Sequence, residues 1–252
     1  MLNLDIKYIN EGLIEDNTTI MFTVTNTGYL DYTRNMLQSL KKFNIDKKML
    51  IVCLDENSNK YFKEHDYFTL LINVNLNEFA HIGTESFSRC CYIKLMIFYK
   101  IIMMNYNVFY IDGDIFFMKN PIEELIKLKE ESDDLWIQND SLEDNNYSNV
   151  CAGFLYIKSN DITKKYFNIN TSECINNYNE CKKHNNDQTY INIFIKPYLN
   201  TKLFPLNLFP NGQYFYNYSE QIKDSIVMVH FNWVVGNMKK ENMKQYNMWL
   251  LD

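Results

Sequence analysis

The 252-residue chain has only two arginines, Arg34 and Arg89, with four prolines and seven glycines. So little Gly and Pro excludes a collagen-like or low-complexity chain, and 46% hydrophobic and 15% aromatic residues give it ample core to bury. Long apolar runs are missing too. The most apolar stretch, Cys90 to Met104, is interrupted by Lys94 and Lys100 and falls short of the ~20 residues a membrane span needs. Nor is there a basic surplus. At a net charge of −6 the chain offers no cationic stripe to replace counterions, so no nucleic-acid partner is expected. The first sixteen residues lack both the basic and the apolar region of a signal peptide, so the expected setting is cytoplasmic, including that of a virus-encoded protein in a host cell. The six cysteines (53, 90, 91, 151, 174 and 181) form no CxxC pair and read as packed thiols rather than a zinc site.

What is present is an α/β pattern. Thr19–Thr25 is a short β-branched and apolar run ending at the turn cluster Asn26-Thr27-Gly28. Residues 29–43 then put Leu30, Met36, Leu37, Leu40 and Phe43 on one helical side, and Met49–Leu54 returns as a second buried strand. An apolar run at 68–74 and a helix over about 85–105 lead into a strand at Val108–Ile111. Asn120-Pro121 marks a helix start, because proline at the first helical position gives up an amide that would have no partner there. Further strands are expected at 135–138, 151–158 and 225–230, with helices within 161–178 and at 187–195. The polar stretches 140–149 and 176–186 read as surface loops. No linker or repeat divides the chain. The expectation is a single domain over 1–252 with a mostly parallel, Rossmann-like sheet flanked by helices, comprising a nucleotide-binding part at about 19–118 and an acceptor part at about 119–252.

The sharpest local signal is YIDGDIFF, where an apolar strand ends at Ile111 and Asp112 and Asp114 follow. Open α/β sheets bind ligands beyond such strand ends. In extended backbone, alternate side chains point the same way, about 6.6 Å apart at Cα. Two carboxylates ~6 Å apart repel by roughly 3 kcal/mol at an effective dielectric of ~20, so the pair calls for water or a cation. Carboxylate oxygens suit Mg²⁺ or Mn²⁺, and an imidazole ligand shifts the preference toward Mn²⁺. His230 closes another apolar strand and is the candidate third ligand. The rival readings are a solvated turn for the Asp pair and a hydrogen-bonded structural histidine for His230.

The segments LFPLNLFPNGQYFYN and VMVHFNWVVGNMKKENMKQYNMWLLD resemble the C-terminal signature of the nucleotide-diphospho-sugar transferase family, which includes plant rhamnogalacturonan xylosyltransferases and extensin arabinosyltransferases. Its other motifs occur in order as TVTNTGYLDYTRNMLQSL, LIVCLDE, the run FSRCCYIKLMIFYK through IDGDIFFMKNP, AGFLYIKS and NNDQTYIN. The resemblance implies a GT-A fold and a Mn²⁺-dependent transfer, with Mg²⁺ as the alternative ion, from a nucleotide-sugar donor, by family analogy UDP-linked. It also implies a glycan or other hydroxyl acceptor and retention of anomeric configuration.

Carried over by motif, Asp112 and Asp114 are metal ligands with His230, and Gly113 between them allows close approach to the donor. Thr25 and Asn26 fall at the nucleotide end, with Asp55 a further candidate there. Arg89 and Lys94 face the diphosphate or sugar, and Asp187 and Gln188 lie near the anomeric carbon. Lys239 or Lys240 approaches the diphosphate; related galactosyltransferase-like enzymes use a shorter His-x-x-Gly-x-x-Lys spacing, whereas Gly236 here is six residues beyond His230. Bland rivals stand beside these roles. Arg89 and Lys94 could form a solvated helix face, Asp187 could cap its helix, and Phe209-Pro210-Asn211-Gly212 could be turn geometry alone. A nucleotidyltransferase would need a Gly-rich phosphate loop after the first strand. A haloacid-dehalogenase-type phosphatase would need Thr where Phe116 stands. A non-catalytic, metal-dependent carbohydrate- or nucleotide-sugar-binding protein, an inactive pseudo-transferase, is the alternative outside catalysis.

Overall fold

In a computed structural model, the residues described are 13–14, 18–181 and 187–252. The first βαβ unit forms as its sequence pattern dictates. Strand β1 (Thr19–Thr25) alternates Ile20 and Phe22 toward one core with Met21 toward the other, so both of its faces are covered. Helix α1 (Leu30–Lys41) buries Met36, Leu37 and Leu40 against the second face, and β2 (Leu50–Cys53) pairs parallel with β1. Helix α2 (Glu56–Glu64) and edge strand β3 (Thr69–Leu71) follow. Helix α3 (Glu85–Met103), capped by the Thr84 hydroxyl, lays Leu95, Ile97, Phe98 and Ile101 over the first face and delivers the chain to β4 (Asn107–Ile111).

The remaining elements are β5 (Ile115–Phe117), α4 (Pro121–Leu128), β6 (Leu135–Asn139), β7 (Val150–Ile157), α5 (Asp161–Tyr166), α6 (Ser172–Cys181), α7 (Asp187–Tyr190), β8 (Thr201–Phe204), α8 (Gly212–Ile222), β9 (Met228–His230) and α9 (Asn237–Gln245). Helix α4 begins as its sequence requires: Pro121 opens it, and the Asn120 side chain accepts the Ile122 N–H at 3.1 Å. The main sheet has seven strands in the order β3-β2-β1-β4-β7-β6-β8, and β5 pairs with β9 in a separate two-stranded sheet.

The expected α/β architecture, a mostly parallel sheet flanked by helices, is present: β3, β2, β1 and β4 run parallel, as do β6 and β8, and β7 is antiparallel to both of its neighbours. Two local expectations are corrected. The run expected as a strand over 225–230 pairs only from Met228, and with β5 rather than in the main sheet, while β8 had no expected counterpart. The polar stretch 176–186 is not simply a loop, because 176–181 complete α6; the rest, 182–186, lies outside the described residues. Among the described residues, six that are not glycine sit at positive φ, all of them Asn or Asp, the types that tolerate that region. Abundant Asn thus serves as turn punctuation in a chain short of Gly.

Candidate active site

Two strand pairings bring the chemistry together. Beyond β4 the ladder continues for one residue, as the Asp112 N–H donates to the Gly153 carbonyl at 2.8 Å, fixing Asp112 beside β7. In the small sheet, His230 lies opposite Ile115, and the Phe231 N–H donates to the Asp114 carbonyl at 3.2 Å. His230 Nε2 is thereby 3.2 Å from Asp114 Oδ1 and 3.8 Å from Asp112 Oδ2. One ligand atom from each of the three residues lies within 4.8 Å of the others.

The histidine is oriented from behind. Gln138 donates its amide to the carbonyls of Phe209 (3.3 Å) and Pro210 (3.1 Å), which turns its oxygen toward His230 Nδ1 at 2.6 Å. Nδ1 therefore carries a proton, and Nε2 faces the carboxylates, the arrangement a histidine metal ligand uses. The site is also cut to size. A Cβ at Gly153 would come within 2.4 Å of both Asp112 Oδ2 and His230 Cε1. Two hard carboxylates, one imidazole and no room for a further side chain fit a divalent ion of the Mn²⁺ or Mg²⁺ kind.

Buried cations balance the acids. Lys239 of α9 pairs with Asp114, and Lys94 of α3 pairs with Asp187 and stands 4.0 Å from Asp112. A register shift after Ile137 separates Ala152–Phe154 of β7 from β6, and Lys94 Nζ donates to the Ala152 carbonyl at 3.2 Å. Burial works against ionising Asp114, but Lys239 and His230 hold its carboxyl well below the usual range. Burial likewise works against charging Lys94 and His230, yet Asp187 and Asp112 push the ammonium up and Asp114 pushes the imidazole well up. The Tyr110 hydroxyl, raised first by burial and then by Asp112, donates to Asp112.

These groups line one cavity of about 450 Å³, a volume typical of small-molecule sites. Of the residues singled out from sequence, Thr25, Asn26, Lys94, Asp112, Gly113, Asp114, Asp187, Gln188, His230 and Lys239 all line it. Asn26 is pinned in place, accepting the Tyr29 N–H at 3.0 Å and donating to the Glu78 carbonyl at 2.9 Å. Asp187 sits in the first turn of α7 and accepts the Gln188 N–H at 2.9 Å, so local capping and contact with Lys94 coexist.

Three residues lie elsewhere. Asp55 caps α2 through the Ser58 N–H (2.9 Å) and takes the Thr27 N–H (2.7 Å) and hydroxyl (2.6 Å), tying the two turns together. Arg89 is exposed on α3: five residues turn a helix by about 140° relative to Lys94, and its guanidinium meets the Val74 carbonyl at 3.5 Å. Lys240, one residue from Lys239, lies over the Trp249 ring at 4.5 Å.

Sequence reasoning passed over Asp140. It opens a polar stretch read as surface loop, yet it is buried at the end of β6 and lines the cavity. Its Oδ1 accepts from Asn232 Nδ2 and Trp233 Nε1, both at 2.9 Å, and its Oδ2 from Gln188 Nε2 at 3.0 Å and Asn149 Nδ2 at 3.3 Å. Its position two residues beyond the strand-like run at 135–138, close to that of Asp112 after β4, is the signal that could have found it.

Together the fold and this cluster are those of a GT-A-like domain. Residues 44–243 match the model of the Nucleotide-diphospho-sugar transferase family, and the chain belongs to that family. Over 98% of its length it is 24% identical to a UDP-galactose:fucoside alpha-3-galactosyltransferase of Dictyostelium discoideum, covering 44% of that protein. Over 95% of its length it is 23% identical to UDP-D-xylose:L-fucose alpha-1,3-D-xylosyltransferase 3 of Arabidopsis thaliana, covering 68% of it. Among solved structures, the glycosyltransferase GlyE of Streptococcus pneumoniae superposes with a TM-score of 0.59 at 13% identity, over 93% of this chain and 60% of that one. A glycosyltransferase involved in glycosylation of the PBCV-1 major capsid does so at 0.52 and 12% identity, over 90% and 98%. At such identities the likeness is one of fold. None of the helices described is long and apolar enough to cross a membrane.

Proposed function

We propose that this chain transfers a sugar from a UDP-sugar to a hydroxyl of a fucoside acceptor, with retention of configuration and with a divalent ion, Mn²⁺ in preference to Mg²⁺, at Asp112, Asp114 and His230. The observation that carries the reading is the meeting of those three ligand atoms within 4.8 Å in a cavity of about 450 Å³. That cavity draws on both the 19–118 and the 119–252 parts of the chain, which supports one catalytic unit. The acceptor and the linkage rest on the two relatives, whose names share a fucose-type acceptor and an α-1,3 product while differing in donor sugar. An α-linked product from an α-linked sugar nucleotide is retention.

Breaking the C1–O bond to the diphosphate leaves negative charge on the departing oxygen, and a divalent ion held by Asp112, Asp114 and His230 would supply Lewis-acid stabilisation of that charge. The chain's own groups do the rest. Lys239, paired with Asp114 in the cavity lining, would be the cation that meets the diphosphate. Lys94 holds Asp187 and the Ala152 carbonyl in one arrangement, so Asp187 and Gln188 face the donor sugar with little freedom to reorient. With no side chain assigned as nucleophile, the reading is front-face attack: the acceptor oxygen bonds to C1 as the diphosphate leaves, and its proton passes to the departing phosphate oxygen. Thr25 and Asn26, at the strand end of β1, would receive the nucleoside.

The test is calorimetric titration with UDP, with and without Mn²⁺, on the natural chain and on Asp112→Ala, paired with nucleoside diphosphate release from a panel of sugar nucleotides. Metal-dependent binding lost in the variant is expected. Unchanged affinity there would remove the site, and binding without release from any donor would favour a non-catalytic sugar-nucleotide binder.

A further inference from the structure

The cavity that holds the charged cluster also has an exposed apolar rim that the transfer reaction leaves unexplained. Ile82 is 54% exposed, Trp233 47% and Val235 61%, and all three line the cavity that holds Asp112 and His230. Large apolar side chains gathered at the mouth of a polar site are costly to leave in water and mark a contact surface. Neither side of the rim is a loose loop. The strand of chain at 79–82 is docked on Tyr29, whose ring stacks on Phe79 at 4.3 Å and whose hydroxyl donates to the Ala80 carbonyl at 2.9 Å. Gly28 permits that approach, since a Cβ there would come within 2.1 Å of the Phe79 nitrogen.

The indole of Trp233 is fixed by its edge: Nε1 donates to buried Asp140 at 2.9 Å while the ring stays half in solvent. The same carboxylate grips Asn232 and Gln188 at 2.9 and 3.0 Å, so the ring's position is tied to a side chain near the donor. An indole held by its N–H and open on its face offers a flat apolar surface beside polar groups. That is the complement of a sugar ring, which is polar at its edge and has C–H groups on its face.

We propose that Trp233, oriented by Asp140, is the platform for the acceptor sugar, and that with Val235 and Ile82 it makes the site select a 6-deoxyhexose. The selection follows from the rim's chemistry. Ile82 and Val235 supply no hydrogen-bonding side chain, so a methyl at C6 is accommodated where a hydroxymethyl would lose its water for nothing. The proposal rests on the fucoside reading above and narrows it to named residues.

The test uses binding, so that it stands apart from turnover. Methyl α-L-fucoside and methyl α-L-galactoside differ only by the 6-hydroxyl and serve as probes against the chain loaded with UDP and Mg²⁺, read by saturation-transfer NMR with competition to give affinities. The natural chain should bind the fucoside at least about fivefold more tightly, with the C6 methyl the most strongly saturated group. Trp233→Ala should weaken fucoside binding about tenfold or more, and Trp233→Phe should recover part of it, because a ring without the Nε1 anchor stacks in a less defined position. Asp140→Asn should lower affinity less than Trp233→Ala and broaden the contact pattern on the probe. Equal affinity for both glycosides, equal affinity in Trp233→Ala, or no binding of the fucoside would each overturn the proposal. A chain that binds the fucoside as expected but releases no nucleoside diphosphate from any sugar nucleotide would instead overturn the proposed activity and leave the platform standing.

Discussion

At one end the cavity is walled by Asp112, Asp114, Asp187, Lys94, Lys239 and His230, nearly all buried and each facing an opposite charge; at its mouth it is walled by Ile82, Trp233 and Val235, which keep about half their surface in water. The difference teaches where constraint lies. In the charged end, removing one member strands another charge in a low-dielectric interior, so geometry and stability are coupled. At the mouth a side chain can change with little effect on folding, which leaves room for acceptor preference to vary.

The largest break in that comparison is Asp114→Ala. Asp114 is buried against both Lys239 and His230, and its loss leaves two buried cations without their shared partner. We expect about 3–5 kcal/mol of lost stability in urea denaturation, together with loss of metal-dependent UDP binding. Asp112, whose side chain is 32% exposed, should lose the same binding on Asp112→Ala at a clearly smaller cost in stability. Equal stability losses would show that burial does not separate the two carboxylates.

Next is Asp187→Asn, which keeps the shape but removes the charge that meets Lys94. Turnover should fall about 10²-fold or more while donor affinity stays within a few-fold, if the carboxylate acts on charge that develops at the anomeric carbon. Parallel losses in turnover and donor affinity would reduce Asp187 to a positioning role. Smaller again is Gly153→Ala. The added methyl would press on Asp112 Oδ2 and His230 Cε1, each 2.4 Å from its place, so metal affinity should drop with about 1–3 kcal/mol of stability.

How far these regions could be read in advance differs in the same way. The alternating apolar pattern of β1, the one-sided helix α1 and the Asn120-Pro121 start predict local structure because each is decided within a few residues. The Asp112–Gly113–Asp114 strand end was legible for the same reason. The meeting of His230 with Asp114 depends on β9 leaving the main sheet to pair with β5, a long-range choice that no local pattern encodes. Asp140 was hidden by its company: it heads the polar, mostly exposed run 140–149, and only the fold turns this one carboxylate inward toward four N–H donors. Lys94 and Arg89 show the reverse. Both are cations on α3, but helical phase sends one into the cavity and the other to solvent.

The smallest effect expected sharpens the comparison by testing a buried carboxylate that lies outside the cavity. Asp55 is held by N–H and O–H donors from Thr27 and Ser58 and not by a cation, so Asp55→Ala removes a cap and strands no charge. The cost should be about 0.5–2 kcal/mol, with UDP affinity unchanged. Its pH dependence carries a sign. Burial opposes ionisation, but the donors from Thr27 and Ser58 prevail and hold the folded carboxyl below its ordinary value. A depressed folded value means that the stabilisation is complete above the unfolded value of ~4 and fades as pH falls through the folded one. The stability gap between the natural chain and Asp55→Ala, followed by urea denaturation from pH 7 downward, should therefore be widest near neutrality and shrink below about pH 4. A gap that stays constant on acidification would mean that the protonated Asp55 side chain holds the turn as well as the carboxylate does, and the contrast between a hydrogen-bonded acid outside the cavity and ion-paired acids within it would lose its energetic basis.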